Sequence, residues 1–217
     1  MSERVILCYG DSNTHGTSAI ADDGSWYRYD TATRWPMRLA ADLGPGYRVI
    51  EEGLPGRTTC LDDPFEGAFM NGLRILPAVL RSHKPVDLVV LMLGTNDLKT
   101  RFSVTAADIA KGAGRLVTEI RRQECGPGGG APQILMVAPT PIIETGVPAP
   151  HMVGGAEKSR GLAGAMEAMA KAMGTEFYDA GLVARVDPQD GIHLTAEAHA
   201  RLAEGLAAVI RERGSAP

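Results

Sequence analysis

Three residues near opposite ends of the chain have the types and spacing of a hydrolytic catalytic group. Ser12 ends the tripeptide at residues 10–12 (GDS), and Asp190 precedes His193 by three positions in residues 190–193 (DGIH). The two intervening residues allow the Asp190 carboxylate to reach Nδ1 of His193, which fixes the tautomer and leaves Nε2 as a base. A serine hydroxyl is a weak nucleophile until such a base takes its proton. The sequence therefore predicts Ser12 as a nucleophile, with Asp190 and His193 as its activating pair.

Two further residues could donate hydrogen bonds to the charged oxygen that forms when a serine attacks a carbonyl. Gly53 lies in residues 51–59 (EEGLPGRTT), where a glycine permits close backbone approach and offers its N–H. Asn96 lies in residues 94–97 (GTND), and its side-chain amide is a neutral donor suited to such an oxyanion. Gly53 and Asn96 are therefore candidate oxyanion donors.

Each of these segments also fits an ordinary structural interpretation. Residues 10–12 fit a strand-exit turn with a helix cap, Gly53 fits a simple turn, and residues 94–97 fit an Asx-type turn. A D-x-x-H spacing alone occurs by chance in about a quarter of chains of this length. The combination favours catalysis, because a nucleophile, two oxyanion donors and an oriented histidine all occur in one chain.

The elements that must position these residues alternate between short β-branched runs and longer helical segments. This alternation predicts a parallel sheet covered by helices on both faces, with right-handed crossovers. Residues 86–93 (VDLVVLML) are apolar almost throughout, which is typical of a strand buried on both faces. The predicted strands are residues 4–9, 47–51, 86–93, 133–138 and 176–178, and the predicted helices are residues 32–43, 71–83, 106–123, 156–173 and 195–213.

Two details of these elements bear on the site. Each of the four segments follows a different predicted strand, and in open α/β sheets ligands bind beyond the carboxyl ends of the strands. The four segments are therefore expected to meet at one edge of the sheet. Thr195 is a plausible N-cap for the last helix, and Pro77 predicts a kink or a later start in the helix at residues 71–83.

Length, charge and composition restrict the class of protein. The chain has 217 residues, is 44% hydrophobic and carries a net charge of −4, which predicts one globular domain over residues 1–217. No basic cluster indicates a nucleic-acid partner, and no apolar run approaches the roughly 20 residues that span a bilayer. No pair of histidines or carboxylates has metal-ligand spacing, so neither a metal nor another cofactor is expected.

The cysteines and the N-terminal segment predict a cytoplasmic location. Cys8, Cys60 and Cys125 are odd in number and form no CxxC pair, so we expect buried or incidental thiols. The apolar run at residues 5–9 is too short for a signal-peptide core and ends without a small-residue cleavage site.

In this order, the four segments resemble the SGNH hydrolase superfamily, also called GDSL esterases or lipases. The resemblance covers nearly the whole chain. It implies a three-layer α/β/α flavodoxin-like fold with a five-stranded parallel sheet, and a triad of Ser12, Asp190 and His193. It also implies an oxyanion hole formed by the N–H groups of Ser12 and Gly53 together with the Asn96 side chain.

Longer stretches are similar to the arylesterase/acyltransferase subgroup, which includes perhydrolases. They read ILCYGDSNTHG, RWPMRLAADLG, VIEEGLPGRTT, VDLVVLMLGTNDLK and DGIHLT. The similarity implies a serine carboxylic-ester hydrolase that passes its acyl group to water, and also to alcohols or peroxide. It further implies a homo-oligomer, of the octameric kind, and we expect the long loop at residues 140–155 to contribute to its interface. Glu51 departs from the family, which usually has an asparagine before the glycine block.

The expected substrate is a small ester, and this expectation rests mainly on the resemblance. Aromatic residues make up only 5% of the chain, and no apolar helix suggests a lipase lid, so we expect short-chain acyl esters such as acetylated aryl or sugar alcohols. Phe65 and the loop at residues 142–152 are expected to wall the pocket with Leu54. The candidate substrate contacts are Asp11, His15, Leu54, Pro55 and Arg57.

Three alternatives stand beside this interpretation. A thioesterase, lysophospholipase or acyltransferase would use the same triad on the same fold. A non-catalytic binding module is a second alternative, although the intact Ser12, Asn96 and His193 argue against a decayed site. A nucleotide-binding protein is a third, but the chain lacks both G-x-G-x-x-G and G-x-x-x-x-G-K-[ST].

Overall fold

A sheet of five parallel strands organises the chain in the computed structural model, which describes residues 3–214. The strands are β1 (Arg4–Gly10), β2 (Tyr47–Gly53), β3 (Leu88–Met92), β4 (Gln133–Ala138) and β5 (Glu176–Asp179). Their order in the sheet is β2-β1-β3-β4-β5, so β1 lies between β2 and β3. This is the strand order of flavodoxin-like folds.

Helices connect the strands and pack on the sheet. The helices in the described range are α1 (Ser12–His15), α2 (Trp35–Leu43), α3 (Gly72–His83), α4 (Ala106–Arg122), α5 (Gly155–Met173) and α6 (Ala196–Gly214). Helices α3, α4 and α5 share one hydrophobic core with the sheet, and α2 and α6 share another on the opposite face.

The two cores follow from the side-chain alternation of the strands. In β1, Leu7 and Tyr9 enter the core beneath α3 and α4, whereas Ile6 and Cys8 enter the core beneath α2 and α6. All five residues of β3 are buried because helices cover both faces of the sheet. The predicted three-layer α/β/α fold with a five-stranded parallel sheet is thus confirmed.

The predicted boundaries differ from the observed ones for local reasons. Helix α2 begins at Trp35 rather than at residue 32, because Arg34 has an extended backbone and Pro36 occupies the first turn. The two strands that precede the site are longer than predicted, since β1 and β2 each continue to a glycine, Gly10 and Gly53.

Helix α3 runs without interruption from Gly72 through Pro77 to His83. The later start that this proline suggested is therefore wrong. Asn71 fixes the true start, because its side chain accepts a hydrogen bond from the N–H of Leu73 at 3.0 Å.

The ends of the long loop before α5 are held in place. The N–H of Ile142 donates to the hydroxyl of Ser159 at 3.1 Å, and the side chains of Ile142 and Met152 are buried in the core. A short 3₁₀ turn (Ala149–His151) interrupts the loop, and α5 begins at Gly155.

Helix α6 starts as the sequence predicts. The hydroxyl of Thr195 accepts a hydrogen bond from the N–H of Ala198 at 3.1 Å, which caps the helix. None of the helices within residues 3–214 is both long and apolar enough to cross a membrane. In the same range, no three His, Cys, Asp or Glu side chains are grouped so that they could hold a metal ion.

Candidate active site

The carboxyl ends of three neighbouring strands meet at one edge of the sheet. Gly10, the last residue of β1, lies beside Gly53 on β2 and beside Met92 on β3. The chain continues from these ends into the turns that carry Ser12 and Asn96. Sheet order, rather than proximity in sequence, thus brings the first three predicted segments together.

Ser12 is the first residue of the one-turn helix α1. Asp11 caps this turn, since its Oδ1 accepts a hydrogen bond from the N–H of Asn13 at 2.9 Å. Gly16 ends the turn with a φ of 84°, a left-handed conformation that glycine adopts readily. Within residues 3–214 the N–H of Ser12 has no hydrogen-bond partner, as expected for a first-turn donor, so it is free to bind an oxyanion.

Asp190 and His193 form a tight buried pair. Oδ2 of Asp190 lies 2.5 Å from Nδ1 of His193 and also accepts the N–H of Ile20 at 2.8 Å. Oδ1 accepts the N–H groups of Ile192 and His193, each at 3.0 Å. The i, i+3 spacing therefore does what the sequence analysis predicted, and it leaves Nε2 of His193 available as a base.

The hydrogen bonds keep Asp190 ionised in spite of its burial. Burial by itself raises the pKa of Asp190, but the hydrogen bond and charge of His193 and the backbone N–H groups outweigh it, so the pKa lies below its usual range. An ionised carboxylate 2.5 Å from Nδ1 favours a positive charge on the His193 ring.

Ser12 and His193 line the same cavity. Across the described residues no hydrogen bond joins the Ser12 hydroxyl to Nε2 of His193. Such contacts commonly tighten only in the complex with substrate. The cavity has a volume of about 350 Å³, which suits a small ester.

Asn13 joins the turn that carries Ser12 to the loop that carries His193. Its Nδ2 donates to the carbonyl of Ile192 at 3.0 Å, and its Oδ1 accepts the N–H of Leu194 at 2.9 Å. These two bonds hold the residues on either side of His193. Sequence reasoning missed Asn13 and Ile20, and no local pattern in the sequence pairs either of them with residues 190–194.

Gly53 lies directly against the backbone of α1. A Cβ atom at this position would lie 2.1 Å from the backbone nitrogen of His15, so a larger residue does not fit. The N–H of Leu54 donates to the carbonyl of Gly10 at 3.1 Å, and successive N–H groups of a strand point to opposite sides. The N–H of Gly53 therefore takes no part in the ladder with β1, and Gly53 is not among the lining residues of the cavity, whereas Gly56 in the same segment is.

Asn96 lines the cavity and presents a partly used amide. Its Nδ2 donates to the carbonyl of Arg57 at 3.1 Å, and an amide nitrogen carries a second hydrogen. The next residue, Asp97, is fully buried and accepts hydrogen bonds from the N–H of Thr59 at 3.0 Å and from its hydroxyl. Burial raises the pKa of Asp97 to about 6.

The cavity has one mainly apolar wall and one charged wall. Lys99 and Arg101 form the charged wall, and both bond to Glu66 at 2.7 Å. A second cavity, of about 500 Å³, adjoins the first through Arg101 and His151, and Phe65 lines it. The residues of the apolar wall are Ile20, Trp26, Val147, Pro148, Met152 and Ile192.

Only one of the five candidate substrate contacts is among the residues that line the cavity. Pro55 lines the cavity, whereas Leu54, His15, Asp11 and Arg57 are not among its lining residues. The His15 ring lies 2.9 Å from the hydroxyl of Thr17. Asp11 caps α1, and the Arg57 side chain is buried against backbone carbonyls.

The structure also shows where the predicted wall loop (residues 142–152) and Glu51 lie. Residues 147, 148, 151 and 152 of the predicted wall loop line the cavity, while Phe65 lines only the adjoining one. Glu51 forms a two-point ion pair with Arg34, with both contacts at 2.6 Å. This pair anchors α2 to the end of β2, where the family usually has an uncharged asparagine.

Comparison with known proteins identifies the family of this chain. Residues 8–201 match the GDSL-like lipase/acylhydrolase family. The carbohydrate acetylesterase Est24 from Sinorhizobium meliloti is 42% identical, over 97% of this chain and 100% of its own, with a TM-score of 0.92. The aryl esterase of M. smegmatis is 40% identical, over 96% of this chain and 99% of its own, with a TM-score of 0.91. The comparison with curated proteins found no match.

The family match spans most of the chain, and both of these similar structures are esterases with the same fold. The predicted superfamily, its arylesterase-like subgroup and the enzyme class are confirmed. The chain belongs to the GDSL-like lipase/acylhydrolase family of SGNH hydrolases, and it is a carboxylic ester hydrolase.

Proposed function

We propose that this esterase removes short acyl groups, above all acetyl, from aryl or carbohydrate alcohols through an acyl intermediate on Ser12. The observation that carries the proposal is the buried Asp190–His193 pair, joined at 2.5 Å, which opens with Ser12 onto one small cavity. The names of the two similar structures support the substrate class, since one is a carbohydrate acetylesterase and the other an aryl esterase.

Acylation begins when Nε2 of His193 takes the proton of the Ser12 hydroxyl. The serine oxygen bonds to the ester carbon, and the electron pair of the C=O bond moves to its oxygen. The N–H of Ser12, the Asn96 amide and a backbone N–H of residues 53–56, of which Gly56 lines the cavity, stabilise this oxyanion. The bond to the alcohol oxygen then breaks, and His193 donates its proton to the departing alcohol.

Deacylation repeats these steps with water in place of the serine. His193 takes a proton from water, the hydroxide attacks the acyl carbon, and the bond to the Ser12 oxygen breaks. The serine recovers its proton from His193, and the acid leaves. An alcohol or a peroxide in place of water would give acyl transfer, which the subgroup resemblance supports.

The cavity walls support a small acyl group joined to a polar alcohol. The apolar wall, which includes Ile20 and Met152, leaves room for a short acyl chain in about 350 Å³. In the charged wall, Lys99 and Arg101 pair with the two carboxylates of Glu66 and Asp63, so this wall offers polar atoms without a large net charge. Hydroxyl groups bond well to such a wall, and long alkyl chains do not.

Assembly and location are part of the same proposal. We infer a homo-oligomer of the octameric kind, which is supported by the subgroup resemblance and by exposed apolar side chains that line the two adjoining cavities, Trp26, Phe65 and Val147. Light scattering after size-exclusion chromatography tests this, and a monomer at micromolar concentration would contradict it.

We also infer that residues 1–217 act as one domain, without a cofactor. The free thiols of Cys8, Cys60 and Cys125 support a cytoplasmic site of action.

The experiment compares hydrolysis of p-nitrophenyl acetate, butyrate and octanoate by the wild type, Ser12→Ala and Ser82→Ala. Ser82 is a matched control, because within residues 3–214 its hydroxyl bonds only to the carbonyl of Val79 on α3. We expect rates that fall with chain length, no turnover by Ser12→Ala and full activity in Ser82→Ala. A Ser12→Ala variant that retains the rate would overturn the nucleophile. Faster hydrolysis of octanoate, or of acetyl thioesters in parallel assays, would instead favour a lysophospholipase or a thioesterase.

A further inference from the structure

A tight turn brings Arg57 from the cavity wall to a buried position behind the site. The N–H of Arg57 donates to the carbonyl of Leu54 at 3.1 Å. Pro55 and Gly56 occupy the two central positions, and Gly56 has a φ of 87°, as a type II turn requires. The chain reverses at this turn, and Arg57 is only 3% exposed.

The Arg57 guanidinium connects the strand ends that precede Ser12 and Gly53. One nitrogen, Nη1, donates to the carbonyl of Gly10 at 2.8 Å and also to the carbonyl of Glu52. Gly10 is two residues before Ser12, and Glu52 is directly before Gly53. A single donor group thus ties together the ends of β1 and β2.

The backbone of Arg57 holds the third oxyanion donor. Its carbonyl accepts the Nδ2 hydrogen bond of Asn96 at 3.1 Å, which sets the orientation of that amide. Arg57 therefore contacts all three segments from which the proposed oxyanion hole is built, although it lies outside the cavity lining.

An arginine suits this position better than a lysine. The guanidinium carbon lies 4.1 Å from the centre of the Tyr9 ring, so the flat group stacks on the ring while its edge bonds to the carbonyls. No carboxylate within residues 3–214 forms an ion pair with Arg57, and its Nε has no hydrogen-bond partner there. A buried charge without an ion pair lowers the stability of the fold. The position of Arg57 is therefore explained better by a role in the active site than by a role in stability alone.

We propose that Arg57 is a positioning residue for ester hydrolysis, holding the ends of β1 and β2 and the Asn96 amide at the spacing that the oxyanion requires. This role replaces the direct substrate contact that the sequence suggested for Arg57. The proposal rests on the roles proposed above for Ser12, Asn96 and the backbone of residues 53–56. Small displacements of such donors are costly, since a misplacement of about 1 Å lowers rates by about 10²-fold.

The test separates positioning from folding by counting active sites. The wild type, Arg57→Met, Arg57→Lys and Arg34→Met are titrated with paraoxon, which phosphorylates a competent serine and releases one p-nitrophenolate per site. The kcat for p-nitrophenyl acetate is then expressed per titrated site, with KM measured in parallel. Arg34 is the matched control, because it is also a buried arginine but pairs with Glu51 instead of the strand-end carbonyls.

For Arg57→Met we expect kcat per site to fall by about 10- to 100-fold with KM changed by less than about twofold, because donors to the oxyanion act in the transition state. The kcat per site of Arg57→Lys should lie between that of the wild type and that of Arg57→Met. Arg34→Met should have a lower melting temperature but an unchanged kcat per site. The loss in Arg57→Met combined with Asn96→Ala should be smaller than the product of the single losses, since the Arg57 side chain fixes the backbone carbonyl that holds the Asn96 amide.

A kcat per site within twofold of the wild type in both Arg57 variants would overturn the proposal. If Arg57→Met does not fold, Arg57→Lys decides alone: a loss of threefold or more supports positioning, and a smaller loss refutes it. A wild type that paraoxon fails to titrate would overturn the Ser12 assignment, and the Arg57 proposal with it. A failure of the proposed function is thereby distinguished from a failure of positioning alone.

Discussion

The backbone N–H of Ile20 donates to Oδ2 of Asp190 at 2.8 Å, across 170 positions of sequence. The same oxygen lies 2.5 Å from Nδ1 of His193. Ile20 and Trp26 also line the cavity, so the segment that forms part of its apolar wall also fixes the carboxylate that orients the histidine. The apolar wall of the cavity and the orientation of the His193 ring therefore depend on the same stretch of backbone.

Replacing Asp190 with asparagine tests whether its charge orients His193. The amide keeps the shape of the side chain but removes the charge and can bond to the wrong tautomer of the imidazole. We expect kcat to fall by about 10³- to 10⁴-fold, as for a triad that has lost its carboxylate. The measurement is steady-state hydrolysis of p-nitrophenyl acetate. Asp187→Asn, in the same loop, is the control, because among the described residues the Asp187 side chain accepts only the N–H of Gln189. Less than a tenfold loss in Asp190→Asn would contradict the role.

Replacing Asn13 with alanine tests the link between the serine turn and the histidine loop. The change removes both hydrogen bonds to residues 192 and 194 and leaves their backbone groups unpaired. We expect the free energy of unfolding to fall by about 1–3 kcal/mol. We also expect kcat per titrated site to fall by about tenfold, because His193 loses its alignment with Ser12. Urea denaturation and active-site titration measure the two effects. Lower stability with unchanged kcat would restrict Asn13 to a structural role.

The buried carboxylate of Asp97 predicts a pH dependence of stability. Burial raises its pKa from 3.8 to about 6, so the folded state binds a proton more tightly than the unfolded state. The contribution of Asp97 to the free energy of unfolding therefore decreases as the pH rises from about 4 to about 6. A shift of this size corresponds to about 3 kcal/mol once both states are ionised.

Asp97→Asn should remove this contribution, and urea denaturation at pH 4.5 and pH 7.5 measures it. The variant should lose less stability between these pH values than the wild type. Part of the pH dependence of stability should remain in this variant, because burial also raises the pKa of Asp11 to about 6. Asp23→Asn is the control, because hydrogen bonds from Ser25 lower the Asp23 pKa and place its titration below this range. An unchanged dependence in Asp97→Asn would refute the prediction.

Two glycines predict opposite effects of the same substitution. Gly53→Ala places a Cβ atom 2.1 Å from the backbone nitrogen of His15, so α1 must move and carry Ser12 with it. We expect lower stability and at least a tenfold loss of kcat, since backbone displacement at the nucleophile costs rate. Gly164→Ala, inside α5 and in open space, should instead raise stability by about 0.5–1 kcal/mol with activity unchanged. Thermal unfolding and kcat measure both, and an active, stable Gly53→Ala variant would contradict the close packing.

Local patterns in the sequence determined the elements and the chemistry of the site. The apolar run of β3, the cap at Thr195 and the three-residue spacing of Asp190 and His193 depend on neighbours in the chain, and the structure agrees with each. The sequence also predicted that Ser12 and Asn96 lie close together, because each follows a strand and parallel strands end at one edge of a sheet.

Tertiary packing alone decided which distant groups complete the site. Asn13 bonds to residues about 180 positions away, Ile20 bonds to Asp190, and Arg57 turns inward to the strand ends instead of toward substrate. None of these contacts has a signature in the local sequence. They depend on the order β2-β1-β3 and on the path of the loops over it, which form only when the two cores bury their apolar side chains. Local spacing can specify a pair three residues apart, but a hydrogen bond across the fold exists only where packing brings donor and acceptor together.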